Sequence, residues 1–221
     1  MKLTSLVISV IFLIGCSDPP DSDQFLVCND TLGFCDFSGE YCLFGIKWGE
    51  MNDFANRGIE AEGPQTPGGL VTYSFQESPT LVSNHRQIDV PTLSIDALPS
   101  CAKDIIRSSF DIWASAGNIE FEELSDDSDS QIKIFVAPVT TCGSGFPNFT
   151  FSPCDELAGT LILSPNFTTD CNIFQAYVLH ELGHVLGLGH SSGDNVMGSI
   201  FGNLDGISQG DINGMRQIYG E

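Results

Sequence analysis

Three of the four histidines in this 221-residue chain fall in one short stretch, His180-Glu181-Leu182-Gly183-His184-Val185-Leu186-Gly187-Leu188-Gly189-His190. On a helix, His180 and His184 stand one turn apart on the same face. Both imidazoles can then reach one metal ion, with Glu181 pointing beside it. Catalytic zinc usually takes three protein ligands and keeps a fourth position for water, so two imidazoles are one short. His190 lies too far along to share that face if the helix continued. Gly187 lets it stop: a glycine past the last turn takes positive φ at low cost, so the chain can double back and bring His190 to the ion. The competing reading is a surface helix whose histidines align by accident, and it leaves Gly187 and His190 at their offsets unexplained. The stretch therefore predicts zinc ligands His180, His184 and His190, with Glu181 as the catalytic base.

Length and composition bound the rest. The chain suits one domain of about 150 residues plus extensions. With 42% hydrophobic residues and 16 Phe, it can bury a proper core. A formal charge of −21 argues against a nucleic-acid partner, because phosphate would be repelled at nearly every face. Such acidity suits an exported protein, with calcium as a second candidate ion.

The N-terminus reads as an export signal. Met1-Lys2 is a short positive region, and Leu6 to Gly15 is an apolar run too short to span a bilayer as a stable helix. The run ends in Leu13-Ile14-Gly15-Cys16, which resembles the lipobox of bacterial lipoproteins. That resemblance implies loss of residues 1–15, lipid modification of Cys16 and anchoring in the cell envelope by acyl chains. An ordinary secretory signal cut a few residues later is the alternative. No other stretch is long and apolar enough to cross a membrane.

Residues 16–66 read as a polar tether followed by a Cys-containing segment, with Gly58 to Gly69 as a Gly- and Pro-rich linker and the catalytic region at 67–221. After Cys16, seven cysteines remain: Cys28, Cys35, Cys42, Cys101, Cys142, Cys154 and Cys171. In an oxidising compartment three bridges and one spare thiol are the default. Cys142–Cys154 is the pairing favoured, closing the loop from Gly143 to Pro153. A thiolate of Cys28, Cys35 or Cys42 could instead occupy the open zinc position and keep an enzyme latent, a reading ranked below disulfides or a buried thiol.

Val71 to Phe75 alternates β-branched and aromatic residues and predicts a strand. Ala102, Ile105, Ile106, Ser109, Phe110 and Trp113 recur at three and four residues, predicting a helix with one buried face that ends at Gly117-Asn118. Ile119 to Leu124, Gln131 to Ala137 and Ala158 to Leu163 read as further strands. The acidic run Ser125 to Ser130 reads as a solvated turn, with calcium ligation as the second reading. The active-site helix is expected from Asn172 to Gly187.

From about Val71 to Gly220 the chain resembles a matrixin-type catalytic domain of the metzincin zinc peptidases. The resemblance is carried by Val71 to Phe75, by Phe110-Asp111-Ile112-Trp113 leading to Ile119-Glu120-Phe121-Glu122, by the zinc stretch, and by Ile207 to Gly220. Asn195-Val196-Met197-Gly198 matches the Met-turn, whose Met packs beneath the zinc ligands. The resemblance implies an α+β fold, a twisted, mostly parallel sheet with an N-terminal, an active-site and a C-terminal helix. It also implies an edge strand that pairs with extended substrate, expected at Gly159 to Leu163, and a specificity pocket lined by Gly198 to Gly206. Only His85 lies outside the zinc stretch, so a second, structural zinc of the animal enzymes is not expected, and His85 reads as solvated. No Tyr follows Met197 closely, which argues against the astacin and serralysin branches.

The function expected is a monomeric zinc endopeptidase acting on protein or peptide substrates, with a zinc-activated water and Glu181 moving its proton. A lipid-anchored, zinc-containing adhesion protein without turnover is the alternative. Glu181 argues against that alternative, since a structural site needs no base.

Overall fold

Val71 to Phe75 and Ile132 to Val136 carry β-branched and aromatic residues into the central sheet of the computed structural model, which describes residues 34–83, 89–138, 143–149, 157–192, 194–198 and 206–221. Among these, the strands are β1 (Phe34–Cys35), β2 (Cys42–Leu43), β3 (Gly69–Phe75), β4 (Leu81–Ser83), β5 (Asp89–Pro91), β6 (Ile119–Glu123), β7 (Ile132–Val136), β8 (Gly143–Phe149), β9 (Leu157–Leu163) and β10 (Leu188–Gly189). The helices are α1 (Ala102–Ala114), α2 (Cys171–Val185) and α3 (Gln209–Tyr219). Five strands form the main sheet in the order β6-β3-β7-β9-β8. The first four run parallel, and β8 returns antiparallel to β9. This is the α+β, mostly parallel arrangement with three helices that the matrixin resemblance implies. No helix among the described residues is long and apolar enough to cross a membrane.

One expectation fails. Gly159 to Leu163 is not the edge of the sheet: β9 lies between β7 and β8, and the edge strand is Gly143–Phe149. Its Gly and Pro content reads as a loop in sequence, and Pro147, paired opposite Gly159, is tolerated because an edge strand can spare an N–H. The expected Cys142–Cys154 bridge, Cys28, Cys16, His85 and most of the specificity segment lie outside the described residues.

The helices are set by their buried faces. α1 buries Ala102, Ile106, Ser109, Phe110 and Trp113 at helical spacing, and Phe110 stacks on Tyr73 of β3 with ring centroids 3.9 Å apart. α2 is capped by Asp170, whose carboxylate accepts from the N–H groups of Asn172 and Ile173. From Ala176 to Val185 it is buried on every face, as expected of a helix at the centre of a core. The indole N–H of Trp113 donates to Leu179 O at 3.1 Å, fixing α1 against α2. The Cys101–Cys171 disulfide joins the starts of the same two helices.

The core does not stop at residue 67. Leu43, Trp48 and Phe54 lie in the same hydrophobic cluster as Trp113, Leu182 and Tyr219. Trp48 Nε1–H donates to Val185 O, and the Tyr219 hydroxyl donates to Leu186 O while accepting from Trp48 N–H. The Gly58 to Gly69 stretch is tied down by hydrogen bonds from Gln65 and Thr66 to the last turn of α3 and from Gly68 to Asn118. In the acidic run the carboxylates face separate partners. Asp126 pairs with Lys103, Asp129 with Lys133, and Asp127 accepts from the N–H groups of Glu77 and Ser78. They form a hydrogen-bonded turn.

Candidate metal centre

His180 and His184 project from the last two turns of α2, and the helix then ends within three residues. Gly187 takes φ +98°, and a Cβ there would stand 2.4 Å from Ile46 O. Both the turn and the close approach of another backbone demand glycine at this position. The chain reverses through β10, and His190 follows. The three Nε2 atoms form a triangle with sides of 3.2 Å. Among the described residues they are the one group of histidine, cysteine or carboxylate side chains placed to share a metal ion.

Backbone oxygens orient the rings. His180 Nδ1–H donates to Val196 O at 2.6 Å, and His184 Nδ1–H donates to Leu188 O at 2.8 Å. A ring that gives its Nδ1 proton to a carbonyl keeps its Nε2 lone pair free for a metal. Burial favours the same state. It pushes the His180 imidazole down to about 4, and it drives His184 well below the ordinary range, with His180 and His190 adding repulsion. Neutral imidazoles are the ligating form. Bonds of about 2.0 Å to a tetrahedral zinc would place the nitrogens about 3.3 Å apart, so the three-nitrogen cradle fits that ion.

Glu181 is buried beside His180 on α2, with 4% of its surface exposed. Met197 is buried under the helix. A Cβ on Gly183 would meet its Sδ at 2.3 Å and Trp113 Cζ2 at 3.1 Å, so the Met197 thioether occupies the space that Gly183 leaves open. Cys35 and Cys42 are bonded to each other, which removes both as thiolates for the open metal position.

Two residues, Asp211 and Asn195 of the Met-turn stretch, have positioning roles that sequence reasoning did not assign. Asp211 in the first turn of α3 is buried, and its carboxylate accepts from the N–H groups of Val196, Met197 and Ser208. It therefore holds the residue whose carbonyl orients His180. The Ser208-x-x-Asp211 spacing of a capping box was the available signal. Asn195 donates from Nδ2 to Glu40 O and Ser191 Oγ and accepts from the Ser208 hydroxyl, joining the Met-turn to α3 and to the N-terminal segment.

The chain is similar to known proteins over this region. The matrixin family model matches residues 89–220. Metalloendoproteinase 1 of Glycine max is 26% identical over 170 residues, 66% of this chain and 54% of that protein. Matrilysin of Homo sapiens is 51% identical over 47 residues, 19% of this chain and 18% of that protein. The chain thus spans about half the length, or less, of these relatives. A family match over more than half of the chain takes in the helix, the glycine stop and all three converging imidazoles, and on that ground the chain belongs to the matrixin family.

Proposed function

We propose that the protein is a zinc-dependent endopeptidase. The observation that carries this reading is the triangle of Nε2 atoms beside a buried carboxylate one residue from the first ligand. His180, His184 and His190 would hold the ion, which when bound supplies Lewis acidity toward water and toward the scissile carbonyl. Glu181 would accept the proton of the attacking water and pass it to the departing amine nitrogen. Val196 O and Leu188 O keep two of the ligand rings in the required tautomer, and Asp211 holds Val196 in place. An extended substrate chain would add to the sheet at β8, which pairs on one side only among the described residues. Cleavage of casein or gelatin by the purified protein, abolished by a chelator and restored by zinc, tests the reading. A zinc-loaded protein that cleaves neither these nor a peptide library would overturn it.

We further propose export and lipid attachment through Cys16, on the strength of the Leu13 to Cys16 resemblance. Metabolic labelling with a fatty acid, lost in Cys16→Ala, is the expected result; unlabelled parent protein would end the idea.

A further inference from the structure

Two of the three candidate ligands sit on a buried helix, but His190 sits on a turn, and something other than α2 must hold that turn. The chain on both sides of His190 is bonded to the short hairpin near the N-terminus. Strand β2 lies between β1 and β10 in one three-stranded sheet, with Leu43 opposite Leu188 and Cys42 opposite Gly189. Phe44 N–H then donates to Gly187 O at 2.8 Å. Beyond His190, Ser192 donates to Gly39 O through both its N–H and its hydroxyl, each at 3.0 Å, and Asn195 Nδ2 donates to Glu40 O at 2.8 Å. The Phe44 ring stacks on the His184 imidazole with centroids 5.5 Å apart. The hairpin turn is braced internally by Asp36, which accepts from the N–H groups of Ser38 and Tyr41.

The Cys35–Cys42 disulfide closes this hairpin. It joins residues only seven apart, whereas Cys101–Cys171 spans 70. In the chain-entropy account the longer loop gives the larger stabilisation, so the short bridge contributes less to the fold as a whole. Its place is more telling than its span, because it cross-links β1 to the strand that β10 leans on.

We propose that the disulfide-closed hairpin Phe34–Leu43, together with Phe44, is a positioning clip for the third metal ligand and sets the affinity of the site for zinc. The proposal rests on the reading of His180, His184 and His190 as zinc ligands. Its physical basis is preorganisation. If the turn samples arrangements in which His190 points elsewhere, the apparent affinity falls in proportion to the fraction of molecules that remain competent. A competent fraction of about one tenth gives a tenfold loss.

The test compares metal binding by the apo forms of the parent, Cys35→Ser/Cys42→Ser and Cys101→Ser/Cys171→Ser. Zinc affinity is read by competition with a chelator, and ligand geometry by the absorption spectrum of the cobalt(II) forms. The clip variant is expected to bind zinc at least about tenfold more weakly, within the range known for outer-shell changes, with an altered cobalt spectrum. The helix-bridge variant is expected to melt at a lower temperature yet keep the parent's affinity and spectrum. Parent-like affinity and spectrum in the clip variant, or the same loss in both variants, would overturn the proposal. Should the clip variant fail to fold, Phe44→Ala decides by the same two readouts, and parent-like values there overturn it. A parent that binds no zinc, or His190→Ala binding as tightly as the parent, takes down the zinc reading itself and the clip with it.

Discussion

His180 and Val196 are joined by a 2.6 Å hydrogen bond from the imidazole Nδ1–H to the backbone carbonyl, across sixteen residues of sequence. The carbonyl is held in turn, because Val196 N–H and Met197 N–H both donate to the buried carboxylate of Asp211. A carboxylate at the start of α3 therefore reaches the first candidate ligand through one peptide group. Asp211→Ala strands these buried N–H donors, and each left unpaired costs roughly 1–3 kcal/mol. We expect a loss of roughly 3 kcal/mol or more in denaturant titration, and zinc affinity lower by about 10- to 100-fold. Parent-like values for both would show that Asp211 merely caps α3.

In the proposed mechanism, a change at Glu181 should separate metal binding from chemistry. Glu181→Ala is expected to retain stoichiometric zinc and a parent-like far-UV spectrum while peptide hydrolysis falls about 10²- to 10⁴-fold. Steady-state kinetics on a quenched peptide, with metal content measured on the same preparation, checks this. Undiminished turnover would refute the role given to Glu181.

Gly183 pits helix propensity against packing. On propensity alone, Ala in place of a mid-helix Gly stabilises by up to about 1 kcal/mol. Here the added methyl would meet Met197 Sδ at 2.3 Å, and overpacking of this kind costs about 1–3 kcal/mol. Gly183→Ala is expected to lower thermal stability and weaken zinc binding, and Gly183→Ala/Met197→Ala to lose less than the two single changes combined. A stabilised Gly183→Ala would mean that Met197 moves aside freely.

Lys47 is expected to make stability depend on pH. The residue is fully buried, its ammonium donates to Glu50 O, Thr66 Oγ1 and Pro67 O, and burial lowers its pKa from an ordinary 10.5 to about 8. Between these values the unfolded chain binds more protons at this site than the folded one, so stability should rise with pH through that window. The rise is on the order of 1–3 kcal/mol. Buried Tyr73 and Tyr219 oppose it above about pH 10, where burial keeps them protonated in the fold while the unfolded chain ionises. Urea titrations from pH 7.5 to 9.5 should therefore show increasing stability in the parent and a flat profile in Lys47→Met. A parent profile that falls over this range would contradict the assignment.

The sequence by itself determined which three histidines converge as a candidate ligand set, the helix that carries two of them and the glycine that ends it. These follow from local rules: helical spacing of four, a positive φ that only glycine adopts cheaply, and the donor count of zinc. The strands at Val71, Ile119, Ile132 and Ala158 were legible from their β-branched and apolar side chains, while their parallel order came only from the resemblance to matrixins. Tertiary structure alone decided what has no local period. That includes Gly143–Phe149 at the sheet edge, where glycine and proline mask a strand held by pairing with β9. It includes Asp211 beneath Val196, and the hairpin around Cys35–Cys42 against Leu188 and Gly189. Those contacts join residues from 8 to 147 positions apart, and they run largely through backbone groups that every residue shares, so apart from the capping-box spacing of Ser208 and Asp211 the sequence carries little trace of them.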